Sequence, residues 1–169
     1  MKNIYLIGMM GSGKTQTARE LAGLLNWKSV DLDALIVEKE KMNIDSIFQT
    51  KGEDYFRDCE TAVLENITQS EHQVVATGGG VVINKKNREL MKSSGLVLYL
   101  EASMDTLWSR VKNKTHRPLL NTDNPKEKLE EVFRDRKVFY ESAEHQVNTD
   151  GKKAKQVAGE IQQKISSKF

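Results

Sequence analysis

Gly8-Met9-Met10-Gly11-Ser12-Gly13-Lys14-Thr15 reads GxxxxGKT, the spacing of a loop whose backbone N–H groups curl around phosphate oxygens. In such a loop Lys14 reaches the β and γ phosphates, and the Thr15 hydroxyl is placed to ligate Mg²⁺. The flanks agree with the motif. Ile4-Tyr5-Leu6-Ile7 ahead of it is an apolar, β-favouring run of the kind that forms a buried parallel strand. Behind it, Ala18, Leu21, Ala22 and Leu25 fall at i, i+3, i+4 and i+7, which predicts an amphipathic helix with its positive end toward the bound anion.

Composition bounds what this unit can belong to. The 169 residues suffice for a single domain with a substantial core, and residues 1–169 are expected to form one. A formal charge of +2, with no basic tail or like-charge block, makes nucleic acid an unexpected partner. Cys59 is the only cysteine, which excludes an internal disulfide, and Met1-Lys2-Asn3 leads into an apolar run too short for a signal peptide. A cytoplasmic location follows as the expectation. Leu96-Val97-Leu98-Tyr99-Leu100 is far below the ~20 residues of a membrane helix, so no membrane partner is expected.

Outward from the loop, Ser29-Val30-Asp31-Leu32-Asp33 reads as a second strand ending in two acids. Ligands of an open parallel sheet gather at the carboxyl ends of strands, and residues two apart on a strand point the same way. Asp31 is thus expected to face a hydrated Mg²⁺ and Asp33 an acceptor hydroxyl; that Asp33 caps a helix beginning at Ala34 stands as a second role. Short helical pieces over 34–41 and 46–51 precede Gly52, and a longer helix is expected from about Asp54 to Thr68. On its buried stripe of Phe56, Cys59, Val63 and Ile67 lies Glu60, with Arg57 at the edge three residues away. The two make either a structural ion pair or a pair in which Glu60 holds Arg57 for a substrate carboxylate.

Gln73 to Thr77 is the third expected strand and runs into Gly78-Gly79-Gly80, a triplet that lets backbone approach a ligand closely. The strand ends in Thr77 where an ordinary metal-side strand would end in Asp, which leaves that role to Asp31. Leu96 to Leu100 is the fourth strand, followed by a helix capped by Ser103 with Leu107, Trp108 and Val111 inward. Residues 112–124 (KNKTHRPLLNTDN) break the pattern and carry Arg117 in a basic cluster, as either a surface loop or a phosphate-covering lid. Asn124-Pro125 opens a helix with Leu129, Val132, Phe133, Phe139 and Tyr140 on its apolar face. Arg136 falls near the centre of that face and Arg134 points away; two inward cations, Arg57 and Arg136, suggest an acidic ligand. A fifth strand over 146–149 and a helix over 152–167 close the chain. The fold expected is α/β: a three-layer α/β/α sandwich on a five-stranded parallel sheet, of the P-loop nucleoside triphosphate hydrolase type.

The loop alone implies a nucleoside triphosphate and leaves the reaction open. A GTP switch would need NKxD, and Asn84-Lys85-Lys86-Asn87 and Asn113-Lys114-Thr115-His116 lack the Asp. A kinase of a small acidic polyol accounts for more: Asp33 for hydroxyls, Arg57 and Arg136 for a carboxylate, and a basic lid. GMMGSGKT, Asp31-Leu32-Asp33, Phe56-Arg57-Asp58-Cys59-Glu60, the glycine triplet, Arg117-Pro118-Leu119-Leu120 and the Arg136 to Tyr140 spacing together resemble the shikimate kinase family over nearly the whole chain. One departure is Val138, where the family often has Pro.

The resemblance implies ATP-dependent phosphorylation of the 3-hydroxyl of shikimate, with ATP as co-substrate and Mg²⁺ as cofactor. It implies Asp33 at the acceptor hydroxyls, with Arg57, Gly78, Gly79, Gly80 and Arg136 around shikimate and Glu60 in support. It further implies Gly11, Ser12, Gly13, Lys14, Thr15 and Gln16 around the phosphates and Arg110 against adenine. Arg117 would close over the phosphates, Thr15 would ligate the metal directly, and Asp31 would reach it through water. Residues 33–60 would be the substrate-binding region and 112–124 the lid, in a monomer. Gluconate or another sugar acid, a nucleoside monophosphate, or nucleotide binding without an acceptor are the rival readings.

Overall fold

The computed structural model describes residues 3–114 and 118–166. Its centre is a five-stranded, all-parallel sheet: β1 (Asn3–Ile7), β2 (Lys28–Asp31), β3 (Gln73–Ala76), β4 (Gly95–Glu101) and β5 (His145–Asn148), in the order β2-β3-β1-β4-β5. Strand β1 is central and wholly buried, with Tyr5 opposite Val75 on one side and Val97 on the other. Period-two alternation divides its side chains between two cores. Ile4 and Leu6 join Val74, Ala76, Leu98 and Val147 under α1 (Lys14–Leu25) and α7 (Ala154–Ser166). Tyr5 and Ile7 join Val75, Val97 and Tyr99 on the opposite face, which is covered by the remaining helices. Those are α2 (Leu32–Glu40), α3 (Ile44–Ile67), α4 (Lys85–Ser94), α5 (Met104–Val111) and α6 (Pro125–Glu141). The expected three-layer α/β/α sandwich is thus the fold.

Several local expectations need correction. Strand β2 stops at Asp31, because the Asp31 carboxylate accepts from the Ala34 amide at 3.1 Å and so caps α2. Asp33 lies in the first turn of α2, neither on a strand nor capping it. Helix α4 escapes a reading by apolar periodicity because its buried face is Asn87, Met91 and Ser94, largely polar. Asn124 occupies the cap position of α6 without a side-chain cap bond, and Pro125 takes the first turn.

Other elements lie within about two residues of the expected bounds, β3 ending at Ala76 and α3 starting at Ile44. Ser103 caps α5, and Gly52 breaks α3 in an extended, positive-φ conformation that is essentially glycine's alone (φ 85°, ψ 167°). A clamp spans that break: Glu40 accepts from Lys51 before it and from Tyr55 after it, each at 2.8 Å. Lys51 first and then Tyr55 hold the Glu40 carboxyl down to about 2. Val138, the departure from the family pattern, faces solvent at 64% exposure, on the side of α6 opposite buried Arg136.

Candidate active site

The phosphate loop joins β1 to α1 at the carboxyl edge of the sheet. Gly13 precedes α1 in the left-handed region (φ 93°), a conformation that costs a residue with a Cβ. Lys14 opens the helix, and its Nζ donates to the carbonyls of Gly8 at 2.7 Å and Met9 at 2.9 Å, so the ammonium lies within the loop. Ser12 is buried, and its Oγ has no hydrogen-bond partner among the described residues, as expected for a group that meets a ligand oxygen. Thr15 Oγ1 donates to Asp31 Oδ2 at 2.8 Å.

A cleft of about 610 Å³ opens over this loop. Gly11, Ser12, Gly13, Lys14, Thr15 and Gln16 border it, together with Asp31, Asp33, Gly79 and Arg110. Arg110 spans two backbone segments, donating to Gly11 O at 3.0 Å and to Thr149 O at 3.1 Å. Thr77 also borders the cleft, but its hydroxyl donates to Leu6 O at 2.9 Å, a bond within the sheet.

A second cavity, about 100 Å³, adjoins the first and shares Met10, Asp33 and Gly79 with it. Its polar lining is Asp33, Arg57, Glu60, Arg136 and the Gly78–Gly80 backbone; Ile44, Phe48, Phe56 and Leu119 supply apolar walls. Asp33 therefore stands where the cavities meet. The glycine triplet is needed for close approach. A methyl group on Gly78 would lie 2.6 Å from Glu60 Oε1 and 2.9 Å from Asp33 Oδ1, and one on Gly80 would overlap the Arg57 guanidinium.

The inward face of α3 brings Arg57 Nη1 to Glu60 Oε2 at 3.0 Å, and Glu60 is fully buried. Burial pushes the Glu60 carboxyl up to about 7; Arg57 opposes that shift and nearby Asp33 adds to it. Arg136 is 5% exposed and makes no ion pair among the described residues. A methyl on Gly79 would lie 3.3 Å from its Nη1. A buried guanidinium with no ion pair among the described residues keeps N–H donors suited to an anion.

The structure thus collects the sequence-selected residues in two joined cavities, except Arg117, which lies outside the described residues together with residues 115 and 116 of the expected lid. Sequence reading missed the hydroxyl of Tyr140, which donates to Gly79 O at 2.6 Å, and Thr149 and Lys152 on the lining of the cleft, which Lys114 of the expected lid also borders. Tyr140 could have been noticed as a buried phenol needing a partner. Nothing local marks Thr149 or Lys152. Oxygen ligands suit a hard cation carried in with phosphates, and Thr15 and Asp31 meet that description. Among the described residues no three His, Cys, Asp or Glu side chains converge as a preformed metal cage.

Comparison with known proteins gives matches over nearly the whole chain. The family described as "Shikimate kinase" matches residues 10–166. A shikimate kinase of Sulfurihydrogenibium sp. (strain YO3AOP1) is 47% identical over 98% of this chain and 98% of its own. One from Vibrio parahaemolyticus is 43% identical over 95% of this chain and 94% of its own. The solved shikimate kinase from Acinetobacter baumannii in complex with shikimate is 38% identical and superposes with a TM-score of 0.96, covering 99% of this chain and 94% of that one. A sugar kinase from Janibacter sp., 12% identical with a TM-score of 0.65 over 98% of this chain and 95% of its own, shares the fold.

Proposed function

The chain belongs to the shikimate kinase family, and from that premise we propose how its own residues transfer the γ-phosphoryl group of ATP to the 3-hydroxyl of shikimate, giving shikimate 3-phosphate and ADP. The observation that carries the site assignment is Arg136, a buried cation without an ion pair among the described residues, in a cavity joined at Asp33 to the phosphate cleft. Arg136 and Arg57 receive the carboxylate of shikimate, the Gly78–Gly80 backbone lies against the ring, and Glu60 holds Arg57 from within. The ring hydroxyls then fall at Asp33, which orients the 3-hydroxyl toward the γ phosphate and takes its proton as the new P–O bond forms.

On the nucleotide side, Lys14 leaves the carbonyls of Gly8 and Met9 for the β and γ phosphates, while the N–H groups at the start of α1 hold their oxygens. Thr15 and, through water, Asp31 would hold Mg²⁺. When bound, that ion supplies charge neutralisation at the β and γ phosphates. Phosphoryl transfer proceeds through a loose transition state, so positioning and charge do most of the catalysis. Arg110 borders the same cleft and would pack against the base of ATP, and Arg117 belongs to the segment that would cover the phosphates. The reading includes residues 33–60 as the substrate-binding region and a cytoplasmic monomer as the working form. No helix among the described residues is long and apolar enough to cross a membrane.

A coupled assay of ADP release with ATP and Mg²⁺ tests the reading, with shikimate, gluconate, AMP or no acceptor in parallel. Rapid release with shikimate alone is the expected result. Equal release with gluconate, or release independent of acceptor, overturns it.

A further inference from the structure

The two guanidiniums assigned to the substrate carboxylate stand in different states. Arg136 makes no ion pair among the described residues, whereas Arg57 makes two. On the inside, Arg57 Nη1 donates to Glu60 Oε2 at 3.0 Å; on the outside, Nη2 donates to Glu53 Oε1 at 3.1 Å. Their settings differ sharply, since the Glu60 side chain is fully buried and the Glu53 side chain is 49% exposed. Gly80 packs directly against the Arg57 guanidinium. Glu60 and Gly80 together therefore locate Arg57, and Glu53 adds a second carboxylate on the solvent side.

Glu53 directly follows the helix break at Gly52 and lies four residues before Arg57, the spacing that lets its side chain reach along the helix to the guanidinium. What it presents there is what a substrate carboxylate presents: a planar anionic acceptor for guanidinium N–H groups. Each Nη carries two hydrogens, so an incoming carboxylate can begin to bind on those Glu53 leaves open. Like charges on one guanidinium then favour release of Glu53 into the water that already reaches it. An exposed pair at this spacing is weak, so the exchange is easy.

Resting on the functional reading above, we propose that Glu53 determines shikimate affinity: it occupies the outward side of Arg57 in the empty pocket as an internal counterpart of the substrate carboxylate and yields it when shikimate binds. Glu53 acts through Arg57 and does not touch the reacting atoms. Its presence lowers affinity for the substrate while keeping Arg57 paired when the pocket is empty.

The test compares Glu53→Gln and Glu53→Ala with the unaltered protein, using calorimetric titration of shikimate and initial rates. Both variants should lower Kd and KM for shikimate by about two- to fivefold, with kcat, KM for ATP and Tm unchanged. The methyl ester of shikimate, which lacks the carboxylate charge, should show no gain. An unchanged or raised Kd for shikimate, or an equal gain for the ester, overturns the proposal and makes Glu53 a residue that merely orients Arg57 or supports the helix. Turnover by the unaltered protein separates the two levels. If it does not phosphorylate shikimate, the functional reading falls and this proposal with it; if it does and the variants bind no tighter, the proposal alone falls.

Discussion

The hydroxyl of Tyr140 donates to the carbonyl of Gly79 at 2.6 Å, tying the helix that carries Arg136 to the backbone at the join of the two cavities. Tyr140 also stacks on Tyr99 of β4 with ring centroids 5.3 Å apart. Burial pushes its phenol up to about 12, so it remains a donor throughout the neutral range. Tyr140→Phe keeps the ring and removes the bond. It should cost roughly 1–3 kcal/mol of stability, because Gly79 O loses its partner, and raise KM for shikimate roughly threefold or more while leaving KM for ATP unchanged. Urea unfolding and steady-state kinetics check both.

Arg136→Lys keeps the charge and loses the planar fork. A point charge cannot reproduce a bidentate guanidinium, so KM for shikimate should rise roughly ten- to a hundredfold with little change in KM for ATP. An unaltered KM would mean that Arg136 serves only the packing of α6.

Asp33→Asn preserves shape at the join of the cavities but replaces one accepting oxygen by a donor and removes the charge and the proton acceptor. A fall in kcat of roughly 10²–10⁴-fold is expected, with ATP affinity retained in a binding titration. Lys14→Ala should abolish nearly all turnover through the phosphate side instead. Near-normal kcat in Asp33→Asn would remove Asp33 from the chemistry.

Glu60 gives a pH signature. Its carboxyl is raised from 4.5 to about 7, first by burial. The folded protein therefore retains a proton that the unfolded chain has lost, and the associated stability is fully present below about 4.5 and is withdrawn as pH rises through about 7. The decline amounts to at most roughly 3 kcal/mol. Urea titrations from pH 5 to 8 should show this decline, and Glu60→Gln should flatten it. The linkage extends to substrate: ionised Glu60 places negative charge beside an anion-binding pocket, so KM for shikimate should climb with pH through the same range and lose that climb in the variant. A profile equally steep in Glu60→Gln would assign the pH dependence elsewhere.

The phosphate loop was readable because its chemistry is local: GxxxxGKT, an apolar strand before it and a 3.6-residue pattern after it lie within some two dozen residues. The Arg57 and Glu60 pair was readable for the same reason, being three residues apart on one helix face. Arg136 was readable as an inward arginine by periodicity alone. Asp31 ends β2 beside the phosphate loop as expected, but Asp33 was misplaced because one bond from the Ala34 amide to the Asp31 carboxylate converts the end of the strand into the start of a helix, a competition that composition does not settle.

By itself the sequence determined the parallel α/β sandwich, the phosphate loop and which charged residues face inward, since strand alternation, helical period and motif spacing are properties of neighbours along the chain. Only the tertiary structure decided that Arg136 meets no acid within ion-pair distance among the described residues. It also decided that Tyr140 grips Gly79 across 61 positions of sequence and Arg110 grips Thr149 across 39. Those relations depend on which strand lies beside which, and in the order β2-β3-β1-β4-β5 the carboxyl ends of chain-distant strands share one edge, where loops far apart in sequence close around one pair of cavities.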